Sequence, residues 1–204
     1  MLNQIKSRVM HALSNVYQNW AENYVRRGDA DHAIAACDRA LRLSPGVANT
    51  YINRGMAYIE KGDFARAIAD FDQAETLNPR DMRIHIQRGL AYYYNREFEN
   101  ALVDYNLAIY HRPHDSMIYV YRGMAALAQN DPVNAIRDFN AALHHEPNNV
   151  IAYRRRADAR VQQGKLREAI KDYMTYLELG VMQSHNKRAE VEAIIGVLRQ
   201  QISA

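Results

Sequence analysis

The chain has one cysteine, one tryptophan and five prolines in 204 residues, and what is scarce or missing narrows the possibilities first. Cys37 alone cannot close an intramolecular disulfide, so the fold must hold without staples and a reducing compartment is the simplest setting. No run of about 18 apolar residues occurs, so no membrane span is expected. The first residues, MLNQIKSRVMHALSNVY, lack the unbroken apolar core of about 7 to 15 residues and the small-residue cleavage site of a secretory signal. A cytoplasmic location is therefore the expectation. Neither sign of charge dominates: 26 Lys and Arg against 23 Asp and Glu leave +3, far from the basic stripe of a dedicated nucleic-acid binder. There is no glycine-rich phosphate loop, no cysteine pair, and no GxSxG or HExxH signature. Catalysis has no evident seat, and no cofactor or metal is expected.

What is present is periodicity. Pro45, Pro79, Pro113 and Pro147 follow one another at intervals of 34, and only Pro132 stands outside the series. Aligned on them, the chain divides into five units, 14–47, 48–81, 82–115, 116–149 and 150–183, with Val181 in the proline's place in the fifth. Numbering each unit from 1, position 8 holds Ala21, Gly55, Gly89, Gly123 and Ala157, and position 20 holds Ala33, Ala67, Ala101, Ala135 and Ala169. Small residues at both positions let two helices approach closely. Tyr17, Tyr51, His85, Tyr119 and Tyr153 at position 4, and Cys37, Phe71, Tyr105, Phe139 and Tyr173 at position 24, fill the space around that contact. Positions 4, 8 and 11 share one helical face, as do 20, 24 and 27. Gly28, Gly62 and Gly164 at position 15 suit a left-handed helix end; Asn130 tolerates one, and Arg96 has no evident preference for it.

These landmarks resemble the tetratricopeptide repeat family over residues 14–183. The resemblance implies an all-α, right-handed superhelix, an α-solenoid of five helix-turn-helix repeats. Terminal helical extensions flank it, an N-terminal one over 1–13 and a C-terminal capping helix over 184–204. The chain departs from the family at position 7, commonly leucine, where Arg54, Arg88, Arg122 and Arg156 stand and the first unit has Trp20. Position 23 holds Asp70, Asp104, Asp138 and Asp172 in the same four units and Ala36 in the first, which predicts an arginine–aspartate ladder joining the two helices of each repeat.

At the ends, Leu2, Ile5, Val9, Leu13 and Val16 form a helical stripe, so the first helix is expected to begin early. Val191, Ile194, Ile195, Leu198 and Ile202 mark one face of a last helix that would cap the solenoid or dock into another copy. His111, His114, His144 and His145 cluster near helix ends, where the dipole favours an imidazole, and fall short of a zinc ligand set. The basic stretch Arg154, Arg155, Arg156 and Arg160 is interleaved with acids, which points to a solvated face rather than to nucleic acid.

In the family, first helices line a concave groove through positions 2, 5, 9, 12 and 13. The second unit supplies Ile52, Met56 and Ile59 there, the third Ile86, Leu90, Tyr93 and Tyr94, and the fourth Met117, Val120, Met124 and Leu127. Gln18, Glu22, Arg83, Arg154 and Asp158 give a polar border. An apolar strip with a polar rim has the composition of a binding surface, and methionines let it adapt. A known use of such grooves is a carboxylate clamp for the tails of heat-shock chaperones. The corresponding positions here are Gln18, Glu22, Asn53, Arg83 and Gln87; only Asn53 matches, and Glu22 would repel a carboxylate, which rejects that use. The expectation is a non-enzymatic protein-interaction scaffold holding an apolar or amphipathic peptide segment in the groove. The competing reading is a self-assembling protein, a homo-oligomer through its terminal helices, whose groove receives a terminal helix of another copy.

Overall fold

A computed structural model describes residues 1–180 and 185–203. Val181 and Ser184 of the sequence reading lie outside the described residues, as do the side chains of Leu2 and Ile5. Among the described residues there are eleven α-helices and no strand. They are α1 (Leu2–Arg26), α2 (Ala30–Leu43), α3 (Ala48–Glu60), α4 (Phe64–Leu77), α5 (Met82–Tyr94), α6 (Phe98–His111), α7 (Ser116–Ala128), α8 (Pro132–His145), α9 (Val150–Gln162), α10 (Leu166–Leu179) and α11 (His185–Ser203). The long α1 begins ahead of the first repeat, as its stripe predicts.

Local chemistry sets the helix ends. The Asp81, Asp115 and Asn149 side chains accept backbone N–H bonds at the starts of α5, α7 and α9, and Asp29, Asp63 and Asp131 do so for α2, α4 and α8. Each first helix ends on a left-handed residue: Gly28, Gly62, Arg96, Asn130 and Gly164 all have φ between 62° and 74°. The next residue's N–H then bonds back to a carbonyl five positions earlier, as from Glu97 to Tyr92 at 2.9 Å. Arg96 accepts this conformation although a side chain disfavours it.

The chain divides into two compact units, Met1–Asp104 and Tyr105–Ala204. In the first, α1 packs on α2 and α3 on α4, while α3 also touches α1 and α5. Gly55 meets Phe71 so closely that a Cβ there would lie 2.8 Å from the ring. The first repeat solves the same contact differently, with Ala21 and the smaller Cys37 both buried. Burial pushes the Cys37 thiol up to about 12, so it remains a protonated packing group.

In the second unit α7 packs on α8 and α9 on α10, and α7 also touches α9. Gly123 faces Phe139 as Gly55 faces Phe71, at 2.8 Å. The last helix, α11, lays Val191, Ile195 and Leu198 against Ala157, Ala169, Tyr173 and Tyr176, burying an apolar surface that the fifth repeat would otherwise show to water. No helix among the described residues is long and apolar enough to cross a membrane.

Candidate functional site

The first helices are held in place by a network that extends the predicted ladder. In repeat two, Arg54 donates from Nε and Nη2 to the two carboxylate oxygens of Asp70, at 2.8 and 2.7 Å. Arg88 grips Asp104 in the same two-pronged way, as do Arg122 with Asp138 and Arg156 with Asp172. The third nitrogen, Nη1, reaches back to position 25 of the preceding repeat: Arg54 to Asp38, Arg88 to Asp72, Arg122 to Asn106 and Arg156 to Asn140, at 2.6–2.8 Å. One guanidinium therefore ties three helices. The sequence carried this signal as Asp or Asn at 34-residue spacing, with Met174 at that position in the last repeat. The position-4 tyrosines lie beneath the arginines, with ring centroids 5.4–5.6 Å from the guanidinium of Arg54, Arg122 and Arg156.

His85 replaces that tyrosine in repeat three, and its Nδ1 lies 3.1 Å from Asp104. Burial works against the Asp104 charge, but the bonds to Arg88 and His85 outweigh it and hold the carboxyl below its ordinary range. Asp70 has Arg54 as its one bonded side chain and Asp38 as a nearby like charge, and burial pushes its pKa up.

The expected apolar strip is much more deeply set than its pattern implies. Ile52 is 3% and Val120 0% exposed, so each offers at most a trace of free surface and lies mainly in the core. Position 5 falls where neighbouring first helices meet, and that packing takes these residues out of solvent. Met56 and Ile59 pack half-buried against the core around Phe71, and Met117, Met124 and Leu127 against that around Phe139. Ile86, Leu90 and Tyr93 are also half-buried. Tyr94 is the exposed member at 49%, and its ring stacks on Phe64 at 5.6 Å.

A cavity of about 460 Å³ opens on α1, α3 and α5, within the first unit. Val25, Ile52 and Met56 supply its apolar surface. Its polar side includes Gln18, Glu22, Arg83 and Gln87 with Asn19 and Asn53, so it occupies the positions compared above with a carboxylate clamp. Of the two arginines there, Arg83 is already engaged by hydrogen bonds. Arg83 donates to both oxygens of Asp81 and to Asn49 Oδ1, and Arg26 lies 3.9 Å from Glu22. Arg83 in turn holds the Asp81 carboxyl below its ordinary range.

In the second unit the border residues have partners of their own. Arg154 donates to Glu190 of α11 at 2.7 Å, and Asp158 accepts from Tyr173 Oη at 2.7 Å. Arg155 pairs with Asp158 and Arg160 with Asp172, so the densest basic stretch is internally compensated. His114 and His144 each meet His145 edge-on, with ring centroids 5.3 and 5.4 Å apart. Among the described residues no group of three or more histidine, cysteine or acidic side chains could hold a metal ion.

Two stretches, residues 22–86 and 122–189, each match a tetratricopeptide repeat family model. The chain belongs to the tetratricopeptide repeat family. No curated protein sequence matches it significantly. Among solved structures, this tetratricopeptide repeat chain is similar to MamA from Desulfovibrio magneticus RS-1, at 19% identity and TM-score 0.77, over 86% of this chain and 99% of that one. It is also similar to Pseudomonas aeruginosa PilF, at 17% identity and TM-score 0.74, over 95% and 93% of the two chains. A third is YrrB, a TPR protein with an unusual peptide-binding site, at 18% identity and TM-score 0.68, over 87% and 90%. At these identities the likeness shows the fold, and the fold supports a protein–protein interaction scaffold.

Proposed function

We propose that the chain is a non-enzymatic interaction scaffold that binds an amphipathic peptide segment on the first-helix face of residues 1–104. The observation that carries this reading is the cavity on α1, α3 and α5, apolar at Val25, Ile52 and Met56 and polar around them. A concave surface of mixed chemistry gains from covering its apolar part and supplies polar groups that orient what covers it. The peptide-binding site of YrrB lends the fold a precedent. The test is selection of a displayed peptide library on the folded chain. Selected peptides are expected to bind the Met56→Glu variant at least about tenfold more weakly, with the circular dichroism unchanged. Equal binding by that variant overturns the reading.

A specific observation also favours self-assembly through the N-terminal helix. Val9, Leu13, Val16 and Trp20 line one side of α1 and are 52%, 45%, 43% and 50% exposed. Their spacing of four, three and four is that of a helix-packing seam. Sedimentation velocity decides it: oligomers that disappear in a Val16→Glu, Trp20→Glu variant support self-association, and a monomeric wild type at high concentration removes it.

A further inference from the structure

We infer that the exposed face of α1 docks on the outer face of α11 in a second copy of the chain, so that copies join through unlike surfaces. The inference rests on the self-association reading above and adds the surface that α1 meets. Val16 and Trp20 stand at positions 3 and 7 of the first repeat, 43% and 50% exposed. In the other four repeats position 3 holds Thr50, Ile84, Ile118 and Ala152, all 0–1% exposed. Ile84 shares a core with Phe71 and Ala74 of α4, and Ala152 with Phe139 and Ala142 of α8. Each position-7 arginine likewise reaches position 25 on the preceding second helix. One face of the first helix therefore serves as a helix-packing surface four times within the chain and is uncovered in α1. No Asp, Glu, Lys or Arg occurs from Val9 to Ala21, so this face also lacks the charges of a solvated helix.

The matching surface lies on α11. Its inner side, Val191, Ile195 and Leu198, meets Tyr173 and Tyr176, the position-24 and position-27 residues of α10. It thus takes on α10 the place that a following first helix takes on α4 and α8, and closes that place to α1 of another copy. Its outer side remains open. Val197 is 54% exposed, Ala189, Ala193 and Gly196 are exposed beside it, and nothing lies within 4 Å of where a Cβ would stand at Gly196. Ala189, Ala193 and Gly196 follow at four and three, the spacing of Val9, Leu13 and Val16 on α1. Size decides between α11 and a second α1. Two α1 stripes would set large side chains against large ones, whereas α11 offers small residues that let the helix axes approach. Within the chain, close helix contacts obey that rule, as where Gly55 admits Phe71 and Gly123 admits Phe139. The neighbouring Glu190 and Glu192 are paired with Arg154 and Arg188, so neither sets a free charge against an apolar face.

The test is sedimentation velocity of two variants, alone and mixed: Val16→Glu, Trp20→Glu on α1, and Ala193→Glu on α11, each with circular dichroism matching wild type. Each alone is expected to associate at least about tenfold more weakly than wild type, because each lacks one of the two faces. Mixed one to one, they should form dimers and nothing larger. The intact α11 of the first variant then meets the intact α1 of the second, and both remaining faces are spoiled. Ala189→Glu, tested in place of Ala193→Glu, should behave alike. The inference is overturned if the α11 variants associate as wild type does, or if the mixture stays monomeric. In those cases loss of association in the α1 variant alone would leave the self-association reading standing; a wild type that is monomeric at high concentration would remove both.

Discussion

Arg96 occupies, at φ 65°, a position that glycine fills in three of the five repeats. The side chain pays for that conformation in steric strain, and the bond from Glu97 to the Tyr92 carbonyl requires it. Arg96→Gly is therefore expected to raise stability by about 0.5–1 kcal/mol, the strain relieved being set against the greater freedom of glycine in the unfolded chain. Urea denaturation checks it, and a variant less stable than wild type contradicts it. Asp104 supplies a second case. Its carboxyl ionises more readily in the folded chain than in the unfolded one. Its contribution is therefore complete above the unfolded pKa, near 3.8, and is lost as pH falls through the lower folded value. Asp104→Asn should cost about 3 kcal/mol near pH 7, and the gap to wild type should narrow as pH falls below the unfolded value near 3.8. Urea midpoints across that range measure it; a gap that stays constant would place the effect in shape rather than in charge.

Between elements, most of the architecture was legible because it repeats. Small residues at positions 8 and 20 and prolines at 34-residue intervals marked helices that the structure places close to where the pattern put them. The pairing of arginine with the aspartate 16 residues on was legible from co-occurrence alone. The backward bond to position 25 was not, since Asp38, Asp72, Asn106 and Asn140 mix charged and neutral acceptors that a charge pattern does not group. The first repeat lacks the pair, with Trp20 and Ala36 at its two positions. Arg122→Met leaves the Asp138 carboxylate buried without a counter-charge and should cost about 3–5 kcal/mol. Adding Asp138→Leu should return most of the loss, because a matched apolar pair does not carry that desolvation penalty. A double-mutant cycle by chemical denaturation reads the coupling, and additive losses would show that the two side chains act independently.

Across the whole chain, the candidate site was the part least legible in the sequence. Helical spacing places Ile52 and Val120 on a first-helix face, yet depth on that face depends on how adjacent first helices meet, α3 with α1 and α5 in one unit and α7 with α9 in the other. Periodicity encodes direction around one helix and carries no information about its neighbours, so an apolar run can be core at one residue and surface at the next. The amide of Gln87 was visible only as a failure to match a clamp and that of Asn53 only as its single match, because a polar residue in a groove has no periodic signature. The buried and exposed members of the strip should therefore part under charge. Val120→Asp places an unpaired carboxylate among Phe139, Ala142 and Ala152 and should cost about 3 kcal/mol or more, lowering the cooperative unfolding transition. Tyr94→Asp, at a residue already half in solvent, gives up a stacked ring contact with Phe64 and an edge contact with Tyr93 and should cost about 1 kcal/mol. Thermal melts of the two variants beside wild type test the assignment directly. Similar losses in both would mean that the strip behaves as one surface, and that its burial does not divide it into core and contact residues.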